Sequence, residues 1–544
     1  MTIGPLPHGE RLSHEGGHGL IKADIALHDL SLSPSWHDGS VVVGPGRITP
    51  YAHRMLESCL VVTTDRWFLV VRERQAGTDG LAAFAGEPCA TRHVDEDAFH
   101  HLYQACVLWP LDYVMVEVAR VGCRLRIRAG MLGSAPVYAR ATNDRITLSW
   151  DSADFAAYPM ALDTEVVSHR LAMHTMYAAR QPYSGVTMLT ERASLYVEPG
   201  KAHLRYPDPV APSAPREDRE GEDDLPAFEA ALRRSAAARP VGEHATVELS
   251  GGMDSATVAT VLRSLGTTLA SRGILLDGEV RDTQVPRRSL IIDRLGLADA
   301  TVDIADWPPD LDMAPVGAQG FYREFYLEAC MALWSSARSE GRDTLFTGVG
   351  GDELFPAYAG EASSGTATDP GWVGEAATCA AGLLTPRAFE SARSLRTFDA
   401  PAGPVPMTSL LANACRAPDM LRHGQWPVAP LGDPQLVAFC HRLPRASRRG
   451  REVMRRYLAS QLGADVFPLG YSKETFAHVL PPLIARHALS LTAQLTQCAL
   501  ADIGLVEPRA VLALLDTVVR TQSHGATSAL ANFLWLERFA RQTA

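Results

Sequence analysis

The residues best suited by type and spacing to bind a nucleotide are Ser250, Gly251, Gly252, Asp254 and Ser255, which lie between two short apolar segments. Two adjacent glycines let the backbone adopt φ values that other residues avoid and approach a ligand closely. The first amide groups of a following helix have no partner within it and lie at the positive end of its dipole. The stretch therefore predicts a strand, a loop that binds pyrophosphate, and a helix. A glycine-rich turn in which Ser255 merely caps the helix is the alternative.

The stretch differs from the Walker loop, which ends in Gly-Lys-Ser or Gly-Lys-Thr and uses its lysine to reach the β- and γ-phosphates. Here the acidic Asp254 stands near the position of that lysine. Proteins usually bind Mg²⁺ through one or two carboxylates together with phosphate oxygens. Asp254 is therefore a predicted magnesium ligand beside a released pyrophosphate.

A second stretch of this kind follows a short predicted strand at residues 343–347, with Leu345 and Phe346 at its centre. It contains, in order, Gly348, Gly350, Gly351, Asp352 and Glu353. Loops at the carboxyl ends of neighbouring parallel strands share one crevice, so we expect Asp254 and Asp352 to reach one Mg²⁺ on the same polyphosphate. Taken alone, the second stretch is also compatible with an acidic turn before a helix. The two stretches together favour the metal site.

At these residues the sequence resembles the ATP-pyrophosphatase domain of class B asparagine synthetases and their relatives, the β-lactam synthetases and the lasso peptide cyclases. Residues 250–255 fit the pyrophosphate-loop motif of that family, and residues 348–355 fit its Gly-x-Gly-x-Asp-Glu-Leu-Phe segment. Further similar segments follow in the same order as in the family, at residues 430–433, 436–439, 443–444, 448–455 and 471–476. With residues 430–444 counted as one match, five ordered matches over more than two hundred residues carry the resemblance.

The resemblance implies roles for three further parts of the chain. Lys473 matches the lysine that is essential in the family, where it would meet negative charge at the reacting acyl centre or the α-phosphate. Asp352 and Glu353 would belong to the catalytic group with it. The end of the strand expected at residues 269–276 would contact adenosine, so the backbone near Leu275 is a predicted adenine site. Without the resemblance, Lys473 is equally compatible with a solvated surface lysine.

The first two hundred residues are predicted to be rich in antiparallel strands, because residues 67–72, 113–118 and 123–128 are apolar or alternate in polarity. In the family this part of the chain is a glutaminase whose nucleophile is an N-terminal cysteine. Here Thr2 follows Met1, and the first cysteine is Cys59. We therefore expect no ammonia from glutamine and a role for this part as scaffold or substrate-binding surface. Thr2 as an N-terminal nucleophile is the alternative.

These observations predict an α/β protein with a β-rich part. Residues 1–205 would form a degenerate glutaminase-like (Ntn-type) αββα sandwich. Residues 206–226, rich in proline and charge, would form a linker. Residues 227–544 would form the parallel-sheet ATP-pyrophosphatase domain with a helical C-terminus, because strands and helices alternate there. Length alone, 544 residues, favours two or three domains.

Two further segments of the second half are predicted from composition and spacing. Apolar residues at helical intervals indicate a helix over residues 321–335, most of whose apolar side chains belong to the core. Tyr326 and Glu328 are expected at core or surface positions, and a position facing the crevice is the alternative. Residues 360–385 are rich in glycine, alanine and threonine and are predicted to form a loop, either an ordinary surface loop or a mobile lid near the site.

Composition excludes several classes of protein. Apolar residues make up 46% of the chain and the mean hydropathy is near zero, with no apolar run long enough to span a membrane and no secretory signal. We expect a cytoplasmic protein that binds no membrane. A net charge of −11 disfavours nucleic-acid binding. Nine cysteines without a Cys-x-x-Cys pair disfavour a disulfide framework or structural zinc. The histidines and carboxylates at residues 93–101 are expected to open a helix, not to bind metal.

The predicted activity is an ATP-dependent ligation. A substrate carboxylate would attack the α-phosphorus of ATP, Mg²⁺ would offset the charge on the departing pyrophosphate, and an amine would displace AMP from the acyl adenylate. The favoured form is a lasso peptide cyclase acting on a precursor peptide, with a leader-peptide-binding protein and a protease as companions. A β-lactam-synthetase-like enzyme, or another glutamine-independent synthetase acting on a small amino-acid-like substrate, is the alternative. A catalytically silent scaffold is the alternative from another class.

Overall fold

The computed structural model describes residues 20–77, 89–173, 177–211, 213–217, 223–314, 317–356, 358, 370–394, 400–468 and 478–543. Every structural statement below concerns these residues. No helix among them is both long enough and apolar enough to cross a membrane.

The N-terminal half contains two seven-stranded sheets. The first, in the order β12-β10-β11-β1-β4-β3-β2, consists of β1 (Ile21–Ala26), β2 (Ser35–His37), β3 (Ser40–Val43), β4 (Gly46–Pro50), β10 (Tyr138–Ala141), β11 (Arg145–Ser149) and β12 (Val186–Met188). The second, in the order β14-β13-β9-β8-β6-β5-β7, consists of β5 (Leu56–Val62), β6 (Arg66–Glu73), β7 (Cys89–His93), β8 (Tyr113–Ala119), β9 (Arg124–Ala129), β13 (Ser194–Glu198) and β14 (Lys201–Arg205). The expected antiparallel pairing is confirmed except between β5 and β7, which run parallel.

The two sheets pack face to face, and successive residues of each strand point to opposite sides. On β5 and β6, Leu60 and Leu69 lie in a core shared with Ile25 and Val41 of the first sheet. Their neighbours on the outer side pack against α1 (Glu96–Val107). The side chain of Asp95 caps α1 by accepting a hydrogen bond from the amide of residue 98, so the prediction that this acidic segment opens a helix is confirmed. A second helix, α2, covers Thr164–Leu171.

A five-stranded parallel sheet forms the centre of the C-terminal half. Its strands are β15 (Ala245–Glu248), β16 (Ala270–Leu275), β17 (Ala298–Asp303), β18 (Thr344–Phe346) and β19 (Trp426–Val428). The spatial order is β17-β16-β15-β18-β19, so the chain builds outward from β15 and then returns to the other side of it with β18. In open parallel sheets, ligands bind beyond the carboxyl ends of the strands at the point where the order reverses. That point lies between β15 and β18.

Helices cover both faces of this sheet and form the C-terminus. They are α3 (Leu225–Ala237), α4 (Met253–Ser264), α5 (Glu279–Leu295), α6 (Leu327–Ser339), α7 (Pro370–Ala381), α8 (Pro386–Ser394), α9 (Met407–Arg422), α10 (Pro434–His441), α11 (Arg445–Arg448), α12 (Glu452–Leu462), α13 (Leu480–Arg486), α14 (Ala488–Leu495), α15 (Ala499–Asp502), α16 (Pro508–Thr521) and α17 (His524–Arg541). On β18, Phe346 packs in the core with α3, α4 and α12, whereas Leu345 packs in the core with α6 and α17. The expected mixed α/β architecture with a helical C-terminus is confirmed.

Three boundaries differ from the sequence-based expectations. Helix α6 begins at Leu327, so the helix predicted over residues 321–335 is wrong in its first six residues. Tertiary contacts prevent that segment from forming a helix, because the amide of Phe321 donates to Ser152 Oγ and the carbonyl of Phe321 accepts from Arg170. The loop predicted over residues 360–385 is wrong where α7 lies, and residues 360–369 are outside the described chain. Helix α3 begins at Leu225 and therefore includes the last two residues of the predicted linker.

The two halves are joined by a buried carboxylate at the end of β6. Glu73 is fully buried, and its oxygens accept hydrogen bonds from Arg239 Nε at 2.8 Å and Nη2 at 2.6 Å. They also accept from Trp426 Nε1 at 2.9 Å and from the amide of Asp112 at 3.0 Å. Because Trp426 opens β19, one side chain ties the second sheet of the N-terminal half to the parallel sheet.

Candidate functional site

The loop after β15 is closed on itself by its two serines. The amide of Ser250 donates to Ser255 Oγ at 3.2 Å, and Ser255 Oγ in turn donates to the carbonyl of Gly252 at 3.2 Å. Gly251 has a φ of +101°, which an L side chain rarely adopts. Helix α4 starts after Gly252 without a side-chain cap. The alternative in which Ser255 caps the helix is therefore wrong, since its hydroxyl pins the loop and leaves the cap position to a glycine backbone.

The loop after β18 lies directly against this first loop. A Cβ added to Gly351 would lie 2.3 Å from Asp254 Cγ, so the Asp254 carboxylate would have to move to make room for it. Gly350 has a φ of +97°, and a Cβ there would lie 2.6 Å from the backbone nitrogen of Gly432. Glycine is thus required for the backbones to approach. Gly348 packs against the start of α4 in the same way, because a Cβ added to it would lie 2.9 Å from the amide nitrogen of Ser255.

The two predicted metal ligands meet at one guanidinium group. Arg451 Nη1 donates to Asp254 Oδ1 at 2.7 Å, and Arg451 Nη2 donates to Asp352 Oδ1. Burial lowers the pKa of Arg451, but the two carboxylates outweigh that effect and hold the pKa above its ordinary value. Arg451 adopts a left-handed backbone conformation, with a φ of +58°, immediately before α12. The structure therefore brings Asp254 and Asp352 together around a cation.

Sequence reasoning placed Arg451 within the basic stretch 448–455 but gave it no role. The signal that was present is Gly450 before it, because a glycine followed by a helix start marks a bend that can turn a side chain inward. Gly450 also has a positive φ, of +63°. The contact itself was not predictable, since α12 reaches the loops only through the packing of the parallel-sheet domain.

The donor set suits Mg²⁺. Two carboxylates with phosphate oxygens is the usual way in which proteins hold this ion, and oxygen is the donor that it prefers. Asp254 and Asp352 already offer oxygens to a single cationic group. Among the described residues, no group of three or more His, Cys, Asp or Glu side chains is arranged to hold a metal without a ligand's help.

Glu353 faces away from its neighbour Asp352. Its Oε1 accepts a hydrogen bond from Thr408 Oγ1 of α9 at 2.5 Å, and its carbonyl is 3.0 Å from His441 Nε2. The adjacent carboxylates thus point to opposite sides of the loop. Asp352 faces the loop that follows β15, and Glu353 faces α9.

The predicted adenine segment is tied to the first loop by Gln284, a residue that sequence reasoning missed. Leu275 ends β16, and its carbonyl accepts from the amide of Ile304 at 3.0 Å. The buried Gln284 Nε2 donates to the carbonyls of Ser250 and Ile274 at 2.8 and 3.0 Å. The end of β16 and the first loop are therefore held at a fixed separation. Lys473 lies outside the described residues, so its role stays a prediction from sequence.

A cavity of about 370 Å³ lies beside the two loops. Its walls come from residues 309–311, 313 and 321–325, which precede α6, and from α9, α13 and α17. Two contacts connect its lining to the loops. Arg416 of α9 donates to both oxygens of Glu248, the last residue of β15, at 2.6 and 2.8 Å. Thr408, also on α9, bonds Glu353 as described above.

Comparison with known proteins adds little to this geometry. No family model matches the chain, and no curated protein matches it. Among solved structures, the chain is similar to a glutamine phosphoribosylpyrophosphate (PRPP) amidotransferase from B. subtilis, complexed with ADP and GMP. The identity is 12%, the match covers 56% of this chain and 77% of that chain, and the TM-score is 0.18. A likeness at this level supports no argument about fold or function.

Proposed function

We propose that the chain is an ATP-dependent ligase that forms acyl adenylates and couples them to amines, releasing AMP and pyrophosphate. The observation that carries the proposal is the meeting of Asp254 and Asp352 at one cation, at the point where the strand order of the parallel sheet reverses. Loops, carboxylates and helix amides converge there, which suits a polyphosphate. The motif resemblance supplies the reaction class.

In this proposal the chain positions ATP and offsets charge. The loop at residues 250–255 and the first amides of α4 receive the departing pyrophosphate. Asp254 and Asp352 hold Mg²⁺, which supplies positive charge where the leaving group becomes negative. Lys473 meets the negative charge at the acyl centre or the α-phosphate. The backbone near Leu275 receives adenine, at a distance from the loop that Gln284 fixes.

The specific form we propose is a macrolactam cyclase of the lasso peptide type. It would act on a precursor peptide and would work with a leader-peptide-binding protein and a protease. The N-terminal half would be a degenerate glutaminase-like αββα sandwich that serves as scaffold. Support comes from the ordered sequence motifs and from the C-terminal helices α13 and α17, which enclose a cavity beside the nucleotide loops.

The test is exchange of labelled pyrophosphate into ATP, with Mg²⁺ and a panel of carboxylic acids that includes amino acids and short peptides. Acid-dependent exchange supports adenylation. Its absence with every acid, together with an absence of AMP production, would leave the chain as a binding or scaffold protein. For the cyclase form, a core peptide must lose the mass of one water in the presence of ATP.

A further inference from the structure

The cavity beside the loops has apolar walls contributed by separate parts of the chain. Leu311 and Phe325 come from the segment before α6, Leu411 from α9, and Leu534 and Trp535 from α17. Phe325 is 43% exposed. The volume of the cavity, about 370 Å³, is within the range of ~300–1,000 Å³ typical of sites that enclose a drug-sized ligand. The cavity is therefore large enough to hold a small organic ligand and not only water.

The charged side chains in the lining have partners within the protein. Arg416 pairs with Glu248 at 2.6 Å and lies 3.6 Å from Glu324. Arg538 pairs with Asp310 at 2.9 Å. Arg416 and Arg538 are thus compensated by carboxylates, and Arg170, also in the lining, donates to the carbonyl of Phe321 and to Gln181 Oε1. A charged side chain that enters the cavity would have to displace one of these contacts to offset the hydration that it loses. The transfer of an apolar group from water into the cavity is favourable, because such a group gives up no hydrogen bonds to water.

Two residues of the cavity wall, Arg416 and Thr408, contact residues next to or within the two glycine loops. Arg416 contacts the end of β15 through Glu248, and the exposed Thr408 contacts Glu353 beside Asp352. A molecule that fills the cavity and extends past Thr408 would therefore present its far end to the loops. This arrangement suits a ligand with an apolar body and a carboxylate at one end.

We propose that this cavity binds the apolar body of the acid substrate, so that the enzyme selects hydrophobic acids: an aromatic or branched aliphatic acyl group, or a peptide segment with such side chains. Small charged acids such as free aspartate or glutamate would fill little of the cavity and would bury charge against apolar walls. Identification of the ligand as the acid substrate rests on the proposed function. The preference for an apolar ligand rests on the cavity alone.

A binding experiment tests the preference without requiring turnover. The probe is 1-anilinonaphthalene-8-sulfonate, an anion with an apolar body, whose fluorescence rises on binding. We expect saturable binding to the whole protein and displacement by the tripeptide acid N-acetyl-Phe-Leu-Glu. A misfit of one methylene changes binding in an apolar pocket by roughly tenfold or more, so free glutamate should need at least that excess to displace the probe.

Two matched variants locate the probe. Ala412 of α9 lines the cavity and Ala493 of α14 is exposed outside it. Ala412→Phe should weaken probe binding, and Ala493→Phe should leave it unchanged. Displacement by glutamate as efficient as by the tripeptide, an absence of saturable binding, or unchanged binding in a folded Ala412→Phe variant would each overturn the proposal. The displacement result uses the unmodified protein and stands even where the variant fails to fold.

Pyrophosphate exchange separates this proposal from the ligase proposal. If the probe behaves as expected and no acid supports exchange, the ligase proposal fails while the ligand class of the cavity stands. If aspartate or glutamate supports exchange as well as the tripeptide does, the ligase proposal stands and the selection of hydrophobic acids is refuted.

Discussion

Asp254 and Asp352 accept hydrogen bonds from the same guanidinium group, although one follows the first strand of the parallel sheet and the other follows the fourth. Two carboxylates held this close repel each other unless a cation lies between them. Arg451 supplies that cation in the structure. A bound Mg²⁺ with its polyphosphate would supply it during the proposed reaction, and Arg451 would then be free to meet phosphate oxygens.

Replacing Arg451 should expose this repulsion. We expect Arg451→Ala to lower the melting temperature in the absence of Mg²⁺. Addition of Mg²⁺ and ATP should raise the melting temperature of this variant more than that of the unmodified protein, because the ion restores the missing charge. Arg449→Ala, at an exposed position nearby, is the control and should show neither effect. Thermal unfolding with and without Mg²⁺ and ATP measures both. An equal ligand-induced gain in the two variants would argue against a shared cation site.

Asp352 and Glu353 should differ in their effects on adenylation, since they face opposite sides of the loop. Loss of a group that stabilises developing charge typically costs about 10²–10³ in rate, so we expect Asp352→Asn to reduce pyrophosphate exchange by that factor. Glu353→Gln keeps an oxygen for Thr408 and should reduce exchange much less. If Asp352→Asn retains normal pyrophosphate exchange, Asp352 is not a ligand of the metal ion.

The contact between the two loops predicts a sharp difference between two glycines. Gly351→Ala would place a methyl group 2.3 Å from Asp254 Cγ and should displace that carboxylate, lowering both exchange and thermal stability. Gly432→Ala, where a Cβ meets open space, is the matched control and should be tolerated. Normal exchange in Gly351→Ala would mean that the loops do not pack this closely.

The buried pair of Glu73 and Arg239 should contribute strongly to the stability of the whole chain. Removing one partner of a buried ion pair leaves the other charge uncompensated and typically costs about 3–5 kcal/mol. We expect Arg239→Met to lower the free energy of unfolding by that amount in urea. Because Glu73 also bonds Trp426 of the parallel sheet, fluorescence and circular dichroism should report the loss together. A cost below about 1 kcal/mol, as for exposed pairs, would contradict the burial of this pair.

Glu191 should make stability depend on pH. Burial raises its pKa to about 7, above its ordinary value of 4.5, so the folded protein holds this proton more tightly than the unfolded chain does. The resulting stabilisation is fully present below about pH 4.5 and is lost as the pH rises through about 7. Over that range the unfolding free energy should fall by about 3 kcal/mol relative to a Glu191→Gln variant. Urea unfolding at several pH values measures this difference.

Glu198→Gln, at a partly exposed position of β13, is the control and should follow the unmodified protein across the same range. If the difference between Glu191→Gln and the unmodified protein does not change with pH, Glu191 is not buried as the structure describes.

The local features of the site were predictable from sequence, whereas the contacts that assemble it were not. Residues 245–264 form the expected strand, loop and helix, because alternation, glycine and helical spacing are properties of neighbouring residues. The same holds for the strand before Gly348. Arg451, Gln284 and Thr408 were missed, since each reaches the site from a distant part of the chain.

The error at residues 321–326 has the same cause. Their apolar spacing favours a helix, but hydrogen bonds from Phe321 to Ser152 and from Arg170 to Phe321 hold the segment in a loop. That loop forms one wall of the cavity. No local pattern indicates the cavity, because its walls come from segments that meet only in the folded chain.

The most direct test of the central claim follows oxygen from the substrate into the nucleotide. A carboxylic acid that supports exchange is labelled with ¹⁸O in its carboxylate and incubated with the protein, ATP, Mg²⁺ and an acceptor amine. If the carboxylate attacks the α-phosphorus, the AMP that is released carries one ¹⁸O atom. ADP with ¹⁸O-labelled phosphate, or AMP without the label, would contradict acyl adenylate formation.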